Sequence, residues 1–356
     1  METKIFKLIQ DEDNTAALTE CARIIKNGGL VAFPTETVYG LGGDATDADA
    51  AKKIYAAKGR PSDNPLIIHI ATPEDAEKYA FTSELYYRLA KAFMPGPLTV
   101  ILKKKDIVPD GVTGGLSTVA VRCPSDKTAR DLIALSGTAI AAPSANRSGS
   151  PSPTRAEHVI ADLNGRIDAI ICGGACEIGL ESTIVEARED SLVLLRPGAI
   201  TADALRCVCD KVEISHAVTE ALKENERPLS PGMKYRHYAP SVPLVLVEGE
   251  EETVSAFLVK AQNSEKCALL CYHEEMDELR GERLIDIGAK DDLATQATRL
   301  FSALRDADKL DCDVIYAHLP KKEGLGLGLA LYNRLIRAAA HTVIHVDHKS
   351  VTHHNN

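Results

Sequence analysis

Along this chain the hydrophobic positions switch repeatedly between a helical period and short continuous apolar runs. NTAALTECARIIKN (14–27) carries apolar side chains at helical spacing and stops at Gly28-Gly29, a helix C-terminal signal. LVAF (30–33) reads as a buried strand running into a loop, PTETVYGLGG (34–43). A helix is predicted from about Asp47 to Gly59, a strand at PLIIHIA (65–71) and two short helices over 73–93. LTVILKK (98–104) and STVAVRC (117–123) are strands and candidate partners. DKTARDLIALSG (126–137) is a helix, and TAIAAPSAN (138–146) is a strand leaving into a loop. Thr154 to Glu157 reads as a capping box opening a helix over 154–164. Strands at DAIICGG (168–174), STIVEA (182–187) and LVLLRPG (192–198), then a helix from Thr201 to Cys209, complete the first part. Strands and helices mixed through short connections predict one α/β domain over 1–212.

The pattern breaks at 213–241. ENERPLSPGMKYRHYAPSVP (224–243) carries four prolines, clustered charge and two tyrosines without a sustained period, and reads as a linker. Its aromatic and basic content is unusual for a spacer. From PLVLVEG (243–249) to LGLALYNRLIRAAAH (327–341), strand and helix alternate again. That predicts a smaller, doubly wound Rossmann-like α/β domain over 242–346, with a polar tail at 347–356.

Composition narrows the functional classes. The net charge of −10 is shared, −4 on residues 1–212 and −6 on the rest, so neither part offers the basic stripe of a nucleic-acid binder. Aromatics are only 4% and Trp is absent, leaving little for a base-stacking platform. Nine cysteines (Cys21, Cys123, Cys172, Cys176, Cys207, Cys209, Cys267, Cys271, Cys312) fall at irregular spacings, mostly in apolar runs. They read as reduced thiols rather than a disulfide framework, and CGGAC lacks a second half-site for a metal. The acidic N-terminus is no signal peptide, and nowhere do eighteen apolar residues run together, so a soluble cytoplasmic protein without a membrane role is expected.

Five loops concentrate small polar, Gly, Pro or cationic residues at element ends: 34–43, KGRPSDNP (58–65), PSANRSGSPSPT (143–154), GLEST (179–183) and RPG (196–198). Such massing where α/β strands end makes a ligand crevice. The 143–154 loop offers hydroxyls and amides for phosphate, or is a flexible surface loop; it contains no Walker pattern. Lys58 and Arg60 pair a point charge with a bidentate fork suited to phosphates, or they form a solvated helix end. Arg122 closes an apolar run, where an unpaired guanidinium would be costly; it clamps a carboxylate or makes a structural ion pair. His69, between two isoleucines, is a ligand or a satisfied strand histidine. EGLGLGLALYN (323–333) reads as a turn and a packed helix start, not a dinucleotide fingerprint.

Taken in order, PTETVYGLGGDA, KGRPSDNPLIIHI, MPGPLTVIL, VAVRCP, APSANRSGSPSPT, ESTIV, LRPG and SPGMKYRHYAP resemble L-threonylcarbamoyladenylate synthases. The likeness is to the two-domain form, in which a YrdC-like catalytic domain with a mixed twisted sheet precedes a Sua-type C-terminal domain. The resemblance implies synthesis of threonylcarbamoyl-AMP from L-threonine, bicarbonate or carbon dioxide and ATP, with release of pyrophosphate. It implies the first step of threonylcarbamoyladenosine modification of tRNAs reading ANN codons, with a Kae/TsaD-type transferase acting next. The family's KxR…SxN tetrad falls on Lys58, Arg60, Ser144 and Asn146. ATP is expected at Arg60, Asn64, Thr118, Ser144, Ser152 and Arg196, with Tyr238 reaching in from the linker, and Mg2+ is expected on the triphosphate. L-threonine is expected at Thr37, His69, Arg122, Ala142 and Ser182. Residues 228–240 are expected to close over the site as a lid. The rivals are a non-catalytic double-stranded RNA or tRNA-binding module, which the acidic balance opposes, and a hydrogenase-maturation transferase, whose zinc-finger cysteines are missing.

Overall fold

A computed structural model of the chain describes residues 1–9, 12–220, 237–321 and 326–347. Two compact units emerge, Met1–Ser148 with Ser152–Tyr235, and Gly149–Pro151 with Arg236–Asn356. Most of the stretch expected as linker and lid (221–236), Gly324 and Leu325 of the glycine-rich turn, and the tail from 348 lie outside the described residues.

Among the described residues the first unit has twelve strands: β1 Lys4–Lys7, β2 Val31–Phe33, β3 Gly40–Asp44, β4 Ile67–His69, β5 Ala80–Phe81 and β6 Leu98–Lys104. The others are β7 Thr118–Arg122, β8 Ile140–Ala141, β9 Ala169–Cys172, β10 Thr183–Ala187, β11 Leu192–Arg196 and β12 Val212–Ile214. They form one sheet in the order β1-β9-β2-β3-β8-β4-β7-β6-β10-β11-β12, with β5 on β6. The sheet is mixed: β4 runs parallel to β7 and β6 to β10, while β7 and β6 are antiparallel, as are β3 and β8. Helices Thr15–Lys26 and Lys127–Ser136 set Leu18, Cys21, Ile25, Leu132 and Ile133 against Val31, Phe33, Ile140 and Ile171, all buried. Full burial of each large aliphatic chain there contributes about 1.5–3 kcal/mol.

Three local readings are corrected. GLGGD was expected to continue a loop, yet Gly40–Asp44 is strand β3, between β2 and β8. Glycine is a poor strand former, but here close approach demands it: a Cβ on Gly42 would stand 2.6 Å from Ile140 Cγ2 and 2.8 Å from Phe33 Cε1. The capping box at Thr154 does not form. That helix is Ala156–Leu163, with Arg155 rather than Thr154 at its N-cap and no side-chain cap bond; Thr154 N–H donates to His158 Nδ1 and its carbonyl accepts from Cys176 N–H. The helix expected over 201–209 is only Ala202–Arg206, capped by Thr201. Strand β1, which reading the chain passed over, lies parallel to β9 at the sheet edge.

The second unit is a parallel sheet of β13 Leu244–Glu248, β14 Cys267–Cys271, β15 Leu284–Asp286, β16 Val314–His318 and β17 Val343–His345, ordered β15-β14-β16-β13-β17. Helix Glu251–Ser264 packs Val254, Leu258 and Ala261 on Leu269 and Cys271, and helix Leu327–Ala338 is largely buried. This is the doubly wound architecture expected. All nine cysteines are free thiols, and no helix among the described residues is long and apolar enough to cross a membrane.

Gly42→Ala is expected to destabilise the first unit by about 1–3 kcal/mol through overpacking against Phe33 and Ile140. Urea unfolding checks this, and an unchanged midpoint would contradict the packing described.

Candidate active site

Four of the five loops picked out by composition lie wholly in the first unit, and the 143–154 loop does so apart from Gly149–Pro151. The 34–39 segment is pinned on two sides: Tyr39 N–H donates to Pro153 O (2.8 Å), and Glu36 O accepts from Ile178 N–H (2.8 Å). The 58–65 loop is tied to the 143–148 loop by Lys58. This last residue of helix Ala48–Lys58 is followed by Gly59 in the left-handed conformation (φ 65°), which turns the chain. Its Nζ donates to Ser144 O (2.5 Å), Asn146 O (2.6 Å) and Asn146 Oδ1 (3.3 Å), and its own carbonyl accepts from Ser148 N–H. Ser144 Oγ donates to Asn146 Oδ1 at 2.5 Å. Lys58 is only 4% exposed, so the solvated-helix-end reading fails for it. Arg60 is half-buried, with Nη2 on the Pro65 carbonyl (3.2 Å).

Sheet register aligns the other groups. His69 on β4 is the partner of Arg122 on β7, Arg122 of Thr99 on β6, Thr99 of Ile184 on β10, and Ile184 of Arg196 on β11. His69, Arg122, Thr99 and Ile184 are paired in register and project to the same face, while Arg196 enters across a register shift between Ile184 and Val185. Arg196 donates through Nε to Ser182 O (3.0 Å) and through Nη2 to Ser182 Oγ (3.1 Å), which also bonds Thr99 Oγ1 (2.7 Å). Ser152 Oγ donates to Glu181 Oε1 at 2.5 Å. Thr37 shares a hydroxyl bond with Thr35 (2.9 Å), and Ala142 N–H donates to Ile67 O beside His69.

The expected site residues thus gather, but not at a point. Arg60, buried Asn64 and half-buried Thr118 belong with the starts of β4 and β7, while His69 and Arg122 close those strands. At roughly 3.3 Å per residue, Thr118 and Arg122 stand about 13 Å apart along β7. Arg196, expected on the nucleotide side, is bonded to Ser182, expected on the amino-acid side. Tyr238 belongs to the second unit, where it packs on Phe301 (5.2 Å between ring centroids) beneath the Arg334 guanidinium.

The electrostatics carry a residue that reading the chain missed. Arg122 Nη2 lies 2.8 Å from Glu36 Oε1, and both side chains are almost wholly buried. Burial pushes the Glu36 carboxyl up, but the Arg122 guanidinium outweighs it and holds the group below the usual carboxylate range. Burial, helped by Arg122, pulls His69 down to about 3, so its imidazole is neutral. Glu36 was passed over because an acid in a polar loop reads as solvated. The available signal was its place in TET, between buried LVAF and VYG. Among the described residues no cluster of three His, Cys, Asp or Glu could hold a metal.

Comparison with known proteins fits this geometry. Residues 23–198 match the family described as "Telomere recombination", and residues 200–340 match "Threonylcarbamoyl-AMP synthase, C-terminal domain". The threonylcarbamoyl-AMP synthase of Bacillus subtilis is 44% identical over 334 residues, 93% of this chain and 95% of that protein. P. abyssi Sua5 complexed with L-threonine superposes with a TM-score of 0.87 at 41% identity, over 98% of this chain and 100% of that one. A P. abyssi Sua5 double variant, with a His and a Tyr replaced by Ala, gives 0.88 at 41% identity over 97% and 99%. Relatives 36–45% identical over more than nine-tenths of this chain are named as synthases, so the chain is an enzyme. The chain belongs to the threonylcarbamoyl-AMP synthase family in its two-domain form, as its ordered motifs suggested.

Because burial lowers the His69 pKa, this side chain adds stability that is complete above the unfolded value near 6.5 and is lost as pH falls toward 3. Its ring resonances are expected to stay those of neutral imidazole from pH 8 to pH 5 in an NMR titration. A midpoint near 6.5 would overturn the burial argument.

Proposed function

We propose that this enzyme joins L-threonine, bicarbonate or carbon dioxide, and ATP into threonylcarbamoyl-AMP with release of pyrophosphate. The product serves threonylcarbamoyladenosine modification of tRNAs reading ANN codons, through a separate Kae/TsaD-type transferase in the cytoplasm. The observation that carries this reading is the register of His69, Arg122 and Thr99, to which Ser182 joins Arg196 by hydrogen bonds, beside loops tied together by Lys58. One end supplies a buried guanidinium for the amino-acid carboxylate. The starts of β4 and β7 supply Arg60, Asn64 and Thr118 for the nucleotide, with Lys58, Ser144, Asn146, Ser152 and Arg196 assigned to its phosphates. The roughly 13 Å span suits an amino acid and a nucleotide meeting end to end. A relative solved with L-threonine supports the amino-acid half.

The chemistry asks for alignment more than for a protein nucleophile. Threonine's amine combines with the carbon source to give a carbamate, and a carbamate oxygen attacks the α-phosphorus of ATP. In this reading Lys58 and Arg196 offset charge on the phosphates, and Arg122 fixes the carboxylate alongside Thr37, Ser182, neutral His69 and the Ala142 backbone. Mg2+ rides in on the triphosphate. Tyr238 and the lid over 228–240 complete the reading; residues 228–236 lie outside the described residues.

Pyrophosphate release with L-threonine, bicarbonate and ATP tests it. Lys58→Ala is expected to lose about 10²–10³-fold in kcat, on the scale of removing one donor to developing charge. Arg122→Ala is expected to lose activity chiefly through a raised KM for threonine. Full activity in both variants would contradict the site assignment.

A further inference from the structure

The Glu36–Arg122 pair is close in distance yet poorly satisfied. Arg122 Nη2 stands 2.8 Å from Glu36 Oε1 without an aligned N–H, the backbone N–H groups of Glu36 and Ser125 also act on that carboxylate, and neither Arg122 Nε nor His69 Nδ1 has a hydrogen-bond partner. All of these side-chain atoms are buried. Leaving one buried polar atom unpaired is costly, and a cluster of such atoms is the mark of a site completed by a polar ligand. Its charge pattern names the ligand's chemistry. A guanidinium whose Nε lacks an acceptor, beside a carboxylate that its Nη2 contacts without an aligned N–H, is the mirror of a molecule that carries a carboxylate next to an ammonium. That molecule is an α-amino acid. A ligand with a carboxylate alone would engage Arg122 while leaving Glu36 buried against a second anion.

We infer that Glu36 receives the α-ammonium of the amino-acid substrate and accepts the proton that frees its nitrogen to attack. The inference rests on the reading of this site as threonine's. The backbone already presents the residue rigidly, since Glu36 O is held by Ile178 N–H and Thr35 Oγ1 bonds both Thr37 Oγ1 and Val38 O. In the step itself the N–H bond of the ammonium breaks, its electron pair stays on nitrogen, and the proton passes to a Glu36 oxygen. With bicarbonate as the carbon source, the free amine forms the C–N bond and its second proton leaves with the bicarbonate hydroxyl as water, giving the carbamate anion. Substrate binding arms the base. In the empty site Arg122 holds Glu36 ionised against its burial, and a substrate carboxylate on Arg122 removes much of that support. The other titratable groups that feel Glu36 are His69, Asp126, Cys123 and Cys176. Of these, His69 is neutral and burial pushes both thiols up to about 12, so Arg122 and Asp126 supply the neighbouring charge.

The experiment compares Glu36→Gln with wild type in two assays. Calorimetry measures L-threonine against 2,3-dihydroxybutanoate, which keeps the carboxylate and side-chain hydroxyl but replaces the ammonium. Pyrophosphate release gives kcat at saturating threonine. Glu36→Gln is expected to bind threonine about 10- to 100-fold more weakly, the range for a hydrogen bond to a charged group, while its affinity for the deaminated acid holds or improves. Its kcat is expected to fall at least tenfold. Equal losses for both ligands would show that Glu36 merely positions Arg122, and would overturn the inference. An unchanged kcat would overturn the proton-transfer step. If Glu36→Gln does not fold, wild type decides: the deaminated acid must bind at least tenfold more weakly than threonine, and equal binding overturns the idea. Wild type that binds no threonine and releases no pyrophosphate would instead defeat the proposed function, an outcome distinct from failure of the Glu36 variant.

Discussion

A guanidinium inside a twelve-stranded sheet needs an anion, and the placing of that anion organises the first unit. Arg122 ends β7 between His69 and Thr99, so its charge is fixed by strand register rather than by a mobile loop. Glu36 reaches it from the loop after β2. That loop must therefore sit over the strand ends, and backbone bonds from Tyr39 to Pro153 and from Ile178 to Glu36 carry its position on to two further loops. The pair contributes little net stability, because the desolvation of two buried ions offsets most of their attraction. Its value is geometric: loops distant in sequence are drawn to one place.

Lys58 performs the same office at the other end. An ammonium this deeply buried needs acceptors, and carbonyls 144 and 146 provide them, so the helix end and the serine-rich loop close on one another. Glycines then make room. Gly40 and Gly42 let β3 pass under Phe33, whose ring meets His69 edge-on (6.2 Å between centroids). Gly198 lies so near Thr183 N that a Cβ there would be 2.7 Å away, which keeps the turn after β11 close to Ser182 and Arg196. Small residues and buried charges together create the crevice. Neither does so alone.

Much of this was legible in the chain, for identifiable reasons. Helices Thr15–Lys26, Ala48–Lys58 and Lys127–Ser136 each end in a glycine or are followed within two residues by one, and their apolar stripes are clean. Strands β6 and β7 are continuous apolar runs, so their existence and pairing could be anticipated. Strand β3 could not, because its glycines are chosen by contacts with Phe33 and Ile140 that only the tertiary structure supplies. The Thr154 capping box matched a local pattern, but the helix starts with Arg155 at its N-cap, and the Thr154 carbonyl is taken by the non-local Cys176 N–H. Lys58 was ambiguous for a related cause: a cation at a helix end looks the same in sequence whether it faces water or a ring of carbonyls. Glu36 showed only a weak local signal, because the partner that gives it meaning lies 86 residues away and is brought near only by the sheet.

The consequence for catalysis follows from the same constraint. A site that relied on a reactive side chain would place one nucleophile with great care and tolerate movement elsewhere. Here the carbamate supplies its own nucleophilic oxygen in the proposed reaction, so the protein's task is to hold separate charges at fixed spacing. Strand register is suited to that task, since a slip of one residue in β7 would turn Arg122 away from His69 and Thr99 to the opposite face. Burial adds the second requirement. It keeps His69 neutral beside Arg122, which prevents a second positive charge from crowding the amine, and it strengthens each remaining charge by excluding water. The fold therefore fixes how the charges are spaced, and the loops tied by Lys58 and Glu36 fix what reaches them.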